Sequence, residues 1–306
     1  MSNTITTLDD YLRDTCSDMN LIIRAIGKIG IILSDKIRNL PIFKHNHPEI
    51  STCNIHGESQ TSLDVQANIL FQDYLTPISC IKSIVSEEDD EITMVNLDGK
   101  YMVAYDPIDG SSNIDLNIPI GSIFGIYDNN IIKCSGYILY GSGTVYILAI
   151  NKEITMFTLD DTNQWVLTQN KIRIPLKGPS YSINEGNEKY WNDETKHYIR
   201  ELKLVGKHSL RYIGSMVADI HRTLLTGGIF IYPEDVKNPN GKLRQLYEVN
   251  PMSYIIEIAG GVSYSGSNKV RCLDVPIEDI HQKSPIFIGS INDVEDALNI
   301  MLSYRA

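Results

Sequence analysis

The stretch over residues 100–127, KYMVAYDPIDGSSNIDLNIPIGSIFGIY, constrains this chain more than any other. An apolar run with high β propensity, residues 101–105, is followed by two carboxylates, Asp106 and Asp109, with Pro107 between them. Pro107 fixes its own φ and biases the residue before it toward extended geometry. We therefore expect a strand that ends in a proline-fixed turn, where both carboxylates can be aimed at one point.

Two carboxylates followed by Gly-Ser-Ser are typical of a site for a metal ion and a phosphate. Mg2+ is usually bound by one or two carboxylates together with phosphate oxygens of the substrate. Gly110 has no Cβ to hold a phosphate away from the backbone, and Ser111 and Ser112 can complete a small anion-binding nest with it. The alternative is an ordinary Asp-Pro-x-Asp-Gly surface turn, which the residue types alone leave open.

Composition excludes several classes of partner. The net charge of −11 argues against nucleic acid and anionic membranes, since phosphate backbones are bound by an excess of Lys and Arg. The sequence shows neither an apolar run near the roughly 20 residues of a membrane span nor a signal-peptide pattern at its start. Its five cysteines are widely spaced, which predicts no disulfide framework and no zinc motif. We expect a soluble protein of a reducing, cytoplasmic compartment.

The first 80 residues read as two helices. Apolar spacing predicts a helix over residues 8–40 that stops before a proline. The histidines that follow, His45 and His47, have no further ligand nearby and are interpreted as solvated loop residues. A second helix is expected over residues 58–75. Asp64, near its start, is interpreted from its position alone as a solvated acid that complements the helix dipole.

Beyond these helices the pattern changes twice. The acidic run SEEDDE, residues 86–91, ends an apolar strand, as Asp106 does, and this is the arrangement of a site at strand ends in a layered α/β protein. Short β segments separated by turn residues predict an antiparallel meander from residue 118 to residue 170. Helices and strands then mix again, which divides the chain into domains over residues 1–172 and 173–306. With 306 residues, the chain is long enough for two medium domains.

A second cluster of polar residues lies in GKLRQLYEVNPMSY, residues 241–254, which reads as a helix that begins near its third residue. Lys242, Arg244 and Glu248 fall within two helical turns of each other. Arg244 and Glu248 are four residues apart and can simply pair on a helix surface. Pro251 inside the apolar pattern instead favours a specified local geometry.

Five blocks together resemble one family: SEED, DPIDGSSNID, RYIGSMVADIH (residues 211–221), IYP (residues 231–233) and GKLRQLYEVNP. They are similar, in order and in spacing, to the signature blocks of class I fructose-1,6-bisphosphatases, from about residue 51 to the end. This resemblance implies an α/β (α+β) protein with the layered αβαβα fold of the sugar phosphatases and inositol monophosphatases. It also implies a homotetramer that uses Mg2+, with Mn2+ or Zn2+ as substitutes, to hydrolyse the 1-phosphate of fructose 1,6-bisphosphate.

The resemblance also implies a role for each matched residue. It implies metal ligands from five carboxylates and one backbone carbonyl: Glu87, Glu88, Asp106, Asp109, Glu248 and Ile108. It implies that Asp64 and Glu88 activate the attacking water. It implies a site for the leaving phosphate: Asp109, Gly110, Ser111 and Ser112. It implies a site for the sugar and its 6-phosphate, with the arginine supplied by a neighbouring subunit: Asn184, Arg211, Tyr212, Met216, Tyr232 and Lys242.

Two departures from the family pattern concern the substrate and the metals. Asn187 replaces the tyrosine of an Asn-Glu-Gly-Tyr block and has a shorter reach. Glu58 replaces an aspartate in the loop before Asp64, and its extra methylene can alter how that loop closes over the metals. Because of Asn187 and the short segment after Tyr127, a sister enzyme acting on sedoheptulose 1,7-bisphosphate, or on both sugars, is the main alternative. A catalytically inactive sensing protein on the same fold is the second, and the presence of all matched acids argues against it.

A third departure concerns regulation. Animal members bind AMP through a Thr-Gly-Glu-Met/Leu-Thr helix start, a Lys-Tyr pair and a later arginine. This chain keeps Lys100 and Tyr101, but it has TCSDM over residues 15–19 and Asp128 at the position of the arginine. Because a carboxylate repels a phosphate, we expect weak or absent inhibition by AMP.

Overall fold

A computed structural model of the chain describes residues 6–13, 18–46, 63–266 and 269–305. Its helices are α1 (Leu8–Arg13), α2 (Met19–Asn46), α3 (Leu63–Leu75), α4 (Asp193–Val205), α5 (Met216–Thr226), α6 (Asn250–Ile258) and α7 (Ile291–Arg305). Its first eight strands are β1 (Ile81–Ser86), β2 (Thr93–Met94), β3 (Tyr101–Asp109), β4 (Ile120–Asp128), β5 (Ile131–Tyr140), β6 (Thr144–Ile150), β7 (Glu153–Leu159) and β8 (Trp165–Gln169). The later strands are β9 (Ser180–Ser182), β10 (Ser209–Leu210), β11 (Ile229–Tyr232), β12 (Leu243–Arg244), β13 (Val262–Ser265), β14 (Val270–Arg271), β15 (Lys283–Ser284) and β16 (Ile286–Gly289).

The strands form two large sheets and one short ribbon. The first sheet has eight strands in the order β2-β1-β3-β4-β5-β6-β7-β8, in which only β1 and β3 pair in parallel. The second sheet has six strands in the order β10-β9-β11-β16-β13-β14. Strands β12 and β15 pair as a separate antiparallel ribbon. The first sheet therefore contains the predicted meander, β4 to β8, in sequence order.

Three buried clusters show how the layers stack. One face of the first sheet packs against α1, α2 and α3, with residues such as Ile26, Phe71 and Tyr105. Its other face packs against α5, α6 and the second sheet, with Tyr137 and Met252 among the buried residues. The far face of the second sheet packs against α4 and α7. The order helix, sheet, helix, sheet, helix is the predicted αβαβα arrangement.

The prediction for residues 8–40 was wrong in two respects. Helix α1 ends at Arg13, and a second helix, α2, begins at Met19. Helix α2 also does not stop before Pro41 but continues to Asn46, so His45 lies on the helix and not in a loop. Pro41 is exposed near the helix end, where water can satisfy the carbonyl that a proline leaves without its amide partner. His47 and Glu58 lie outside the described residues.

The predicted helix near Leu243 also begins later than expected. Leu243 and Arg244 pair with Ser284 and Lys283 in the β12–β15 ribbon, so they are extended. A π-helical turn over Gln245–Val249 follows, and α6 starts only at Asn250. A π turn inside a helical segment is a feature that is often found at functional sites.

Candidate active site

A β-bulge in β3 brings Asp106 and Asp109 together. Asp106 pairs with Ile123 of β4 and Asp109 pairs with Gly121, so three steps along β3 match two along β4. Side chains alternate along a strand, so residues three apart would normally point to opposite faces, and the extra residue of the bulge turns both carboxylates to one side. Pro107 lies in the bulge, where a residue without an amide proton is tolerated. The two carboxylates therefore lie within the strand and not in the turn that the sequence predicted.

Glu248 reaches the same point from the π turn. A carboxylate oxygen from each of Asp106, Asp109 and Glu248 lies within 4.8 Å of the other two. The backbone amide of Arg244 donates a hydrogen bond of 2.6 Å to Oε2 of Glu248. The guanidinium of Arg244 turns elsewhere and donates to the carbonyl oxygen of His281 at 3.2 Å. A simple side-chain pair of Arg244 and Glu248 on a helix surface is therefore ruled out.

Gly110 joins this cluster to the start of α5. Its φ of 82° is in the left-handed region, and a Cβ at this position would lie 2.9 Å from the Cβ of Ser215. Both observations require glycine, since other residues rarely adopt this φ and no space is left for a side chain. Close approach of the backbone was predicted, but the contact that enforces it is Ser215.

The electrostatics of the cluster call for a cation. Burial raises the pKa of Asp106 and of Glu248 well above the usual range. The neighbouring carboxylates raise both pKa values further. Burial also raises the pKa of Asp109 and of Glu87, although the Arg244 guanidinium partly offsets this for Glu87. Buried like charges are costly unless a counter-charge is supplied, and carboxylate oxygens are the donors that hard divalent ions prefer. These residues fit a divalent metal ion.

A cavity of about 390 Å³ opens beside the carboxylates. Eleven of the predicted site residues line it: Glu87, Asp109, Gly110, Ser111, Ser112, Asn184, Tyr212, Met216, Tyr232, Lys242 and Glu248. Lys242, Arg244 and Lys283 place three cations on its wall. Although the protein is acidic overall, these cationic side chains lie next to the carboxylate cluster. This arrangement suits a ligand that has one phosphate bound through a metal ion and a second anionic group.

Comparison with known proteins matches the chain to one family over nearly its whole length. The profile of the fructose-1-6-bisphosphatase N-terminal domain matches residues 5–170, and that of the C-terminal domain matches residues 174–302. The chain belongs to the fructose-1,6-bisphosphatase family. Cytosolic fructose-1,6-bisphosphatases of Spinacia oleracea and Arabidopsis thaliana are each 47% identical to it, over 79% of this chain and 77% of theirs.

Solved structures of the fructose-1,6-bisphosphatase family have the same fold. The Leishmania major fructose-1,6-bisphosphatase in its holo form superposes with a TM-score of 0.88 at 36% identity, covering 99% of both chains. The T-state structure of the Leishmania enzyme gives a TM-score of 0.86 at 34% identity. The layered fold and the family that the sequence predicted are both confirmed.

Other residues that the fructose-1,6-bisphosphatase resemblance singled out lie near the cavity but outside its lining. Asp106 is behind the wall, with its Oδ1 accepting a hydrogen bond of 2.9 Å from the amide of Ile108. Burial raises the pKa of Glu88, and the charge of Asp64 is the next cause of this shift. The Arg211 guanidinium donates to the carbonyl oxygen of Leu210 in its own chain.

Sequence reasoning missed three residues of this fructose-1,6-bisphosphatase site. Ser215 caps α5 and bonds to Asp109, and its place before the apolar run of α5 was a usable signal. The Asp219 carboxylate accepts hydrogen bonds from the backbone amides of Ile213 and Gly214, and these bonds hold the loop beside Tyr212 in place. Lys283 carries no local signal, because it reaches the cavity through the β12–β15 ribbon.

Proposed function

We propose that this chain hydrolyses the 1-phosphate of fructose 1,6-bisphosphate to fructose 6-phosphate and inorganic phosphate, with Mg2+ as its metal ion. The carboxylate cluster of Asp106, Asp109 and Glu248 beside a cation-lined cavity carries this proposal, in a chain of the fructose-1,6-bisphosphatase family. Because its relatives are named cytosolic, we place the reaction in the cytosol. Within the described residues, no helix is both long and apolar enough to cross a membrane.

The metal ligands in this proposal are Glu87, Glu88, Asp106, the carbonyl of Ile108, Asp109 and Glu248. A divalent ion held there would neutralise phosphate charge and lower the pKa of a bound water. Glu88 and Asp64 would then accept the proton of the attacking water, and burial raises the pKa of both, which favours proton uptake. No side-chain nucleophile is required, since positioning and charge supply most of the effect in phosphoryl transfer.

The leaving phosphate is held in this proposal by Gly110, Ser111 and Ser112. These residues line the cavity beside Asp109 and begin the short 3-10 helix over residues 111–116. Their hydroxyls and amides can donate to phosphate oxygens. The phosphate would therefore lie between neutral donors on one side and the metal ligands on the other.

The sugar end is held in this proposal by five residues of the cavity wall: Asn184, Tyr212, Met216, Tyr232 and Lys242. Burial raises the pKa of Tyr212 to about 12, so its hydroxyl stays protonated and can donate. We also propose a homotetramer in which Arg211 of a neighbouring subunit reaches this end. Residues 1–172 would then carry most metal ligands, and residues 173–306 most sugar contacts.

Release of inorganic phosphate from fructose 1,6-bisphosphate and from sedoheptulose 1,7-bisphosphate tests this proposal. We expect a kcat/KM at least about tenfold higher for the fructose substrate, with fructose 6-phosphate as the sugar product. Equal or better turnover of the sedoheptulose substrate would favour the sister activity. Absence of turnover on both sugars, in folded protein with Mg2+ present, would contradict the enzymatic proposal.

A further inference from the structure

His281 lies between two of the three segments that carry the proposed metal ligands, the Glu87–Glu88 segment and the turn that bears Glu248. Its ring Nε2 is 3.0 Å from the backbone carbonyl oxygen of Asp89, and its Nδ1 is 2.8 Å from the hydroxyl oxygen of Tyr247. Asp89 directly follows Glu88, and Tyr247 directly precedes Glu248. One imidazole therefore contacts both segments, although 192 residues separate it from Asp89.

The direction of each hydrogen bond follows from the partners. A carbonyl oxygen can only accept a hydrogen bond, so Nε2 of His281 is protonated and donates a hydrogen bond to the carbonyl oxygen of Asp89. In the neutral ring Nδ1 is then an acceptor, so the Tyr247 hydroxyl is the donor. Both ring nitrogens are thus used, and the tautomer is fixed.

The Asp89 end of this link is itself anchored. The Asp89 carboxylate accepts hydrogen bonds of 2.8 Å from Nδ2 of Asn68 and from Nε2 of Gln72, both on α3. With its carboxylate held by α3 and its carbonyl held by His281, Asp89 has little freedom to move. The position of Glu88, its neighbour in sequence, is restricted as a result.

The other end is anchored through Arg244. Its guanidinium donates to the carbonyl oxygen of His281, and its amide donates to Glu248. His281 therefore contacts Asp89, the neighbour of Glu88, and Tyr247, the neighbour of Glu248. It is not part of the lining of the substrate cavity.

We propose that His281 is a positioning residue that sets the spacing between the Glu87–Glu88 segment and Glu248, and thereby the affinity of the site for its divalent ion. This inference rests on the proposed metal-dependent function. It predicts an effect on metal binding that needs no contact between His281 and metal or sugar. Residues that orient metal ligands commonly change metal affinity by about 10- to 100-fold when they are removed.

Direct Mn2+ binding, measured by electron paramagnetic resonance without substrate, tests the inference. We expect His281→Ala to weaken Mn2+ binding by about 10- to 100-fold. His281→Gln keeps an amide that can donate to Asp89, and Tyr247→Phe removes only the other bond. Each of these two variants should weaken binding by about fivefold, the effect of a single hydrogen bond.

The chain contains a matched control pair. The hydroxyl of Tyr137 is also 2.8 Å from a histidine Nδ1, that of His221, with the two rings edge-on in both pairs. This pair joins β5 to α5 and contributes no residue to the cavity lining. His221→Gln should therefore leave Mn2+ affinity unchanged, which separates a specific effect of His281 from the general loss of a buried Tyr-His bond.

The outcomes separate the inference from the proposed function. Unchanged Mn2+ affinity in folded His281→Ala would overturn the inference. Should that variant fail to fold with chelator present, unchanged affinity in both His281→Gln and Tyr247→Phe would overturn it in the same way. Wild-type protein that binds no Mn2+ would instead contradict the proposed function itself.

Discussion

The hydroxyl of Ser215 donates a hydrogen bond of 2.7 Å to Oδ2 of Asp109. The amide of Val217 donates to the same oxygen at 2.9 Å. One oxygen of Asp109 is therefore satisfied by the N-terminus of α5, which leaves the other to face the carboxylate cluster. This relationship ties α5, a helix beside the proposed sugar end of the cavity, to a proposed metal ligand of the first sheet.

Ser215→Ala should weaken metal binding as well as stability. The substitution removes the bond to Asp109 and the N-cap of α5, whose side chain accepts from the amide of Ala218. We expect a loss of about 1 kcal/mol in the free energy of unfolding and an increase of about fivefold in the Kd for Mn2+. Urea titration and Mn2+ titration measure the two effects.

Asn192→Ala provides the control for this prediction. Asn192 caps α4 in the same manner, accepting a hydrogen bond of 2.8 Å from the amide of Thr195, and it does not line the cavity. It should lose similar stability with no change in Mn2+ affinity. Equal effects of the two variants on Mn2+ binding would show that Ser215 acts only as a helix cap.

Asp106→Asn should stabilise the metal-free protein while it abolishes activity. The amide keeps the shape of the carboxylate and can still accept from the amide of Ile108, but it removes a buried charge that Glu87, Asp109 and Glu248 oppose. Relief of buried like charges is stabilising. We expect the thermal midpoint in chelator to rise by at least about 2 °C. A lower midpoint would contradict this account of the cluster.

His221 should make stability depend on pH below neutrality. Burial lowers its pKa to about 4 in the folded protein, against about 6.5 in the unfolded chain. Below pH 6.5 the unfolded chain therefore takes up a proton that the folded protein does not, and the free energy of unfolding falls as the pH falls toward 4. The loss between pH 7.5 and pH 5 should be at most about 2 kcal/mol.

Urea unfolding of wild-type protein and His221→Gln at pH 7.5 and at pH 5 measures this contribution. The variant has no proton to take up at this position, so its stability should fall less over the interval. Equal losses in the two proteins would show that the pKa of His221 is about the same in the folded and the unfolded state.

AMP should inhibit weakly or not at all. Asp128 lies opposite Tyr101 in the β3–β4 pairing, and its Oδ2 is 3.4 Å from Nζ of Lys100. The Asp128 carboxylate thus repels the phosphate of AMP. It also forms an ion pair with Lys100, the lysine that the resemblance implies for AMP binding. Titration of phosphate release with AMP measures the effect, and Asp128→Arg should increase sensitivity. Wild-type inhibition at low micromolar AMP would contradict the prediction.

The sequence predicted which residue types meet at the site better than it predicted the backbone that brings them together. Asp106 and Asp109 could be identified because few roles require two carboxylates beside Gly-Ser-Ser. The bulge that brings these two residues together could not be predicted, because Asp-Pro locally favours a turn. The strand extends through both residues only because they pair with Ile123 and Gly121 of β4. The chemistry is local in sequence, whereas the register is set by another strand.

Long-range contacts also decided the segment that bears Glu248. The four-residue spacing between Arg244 and Glu248 is compatible with a helix. Arg244 is instead extended, because it pairs with Lys283, almost 40 positions later in the chain. His281 had no signal at all, because its role depends on Asp89 and Tyr247 being adjacent in space. Helices were easier to locate than to delimit, since apolar spacing is a local property that indicated α2 and α3 but not that α2 runs from Met19 to Asn46.

Phosphate release from fructose 1,6-bisphosphate by wild-type protein and by Glu248→Gln, each with Mg2+ and with chelator, shows whether the carboxylate cluster holds a catalytic metal ion. If Glu248 helps to hold the ion, wild-type turnover should require Mg2+ and be lost in chelator. Glu248→Gln should then be slower by at least about 100-fold at saturating Mg2+, the loss expected when a metal ligand is removed. Turnover that persists in chelator, or a Glu248→Gln variant as active as wild type, would contradict the account.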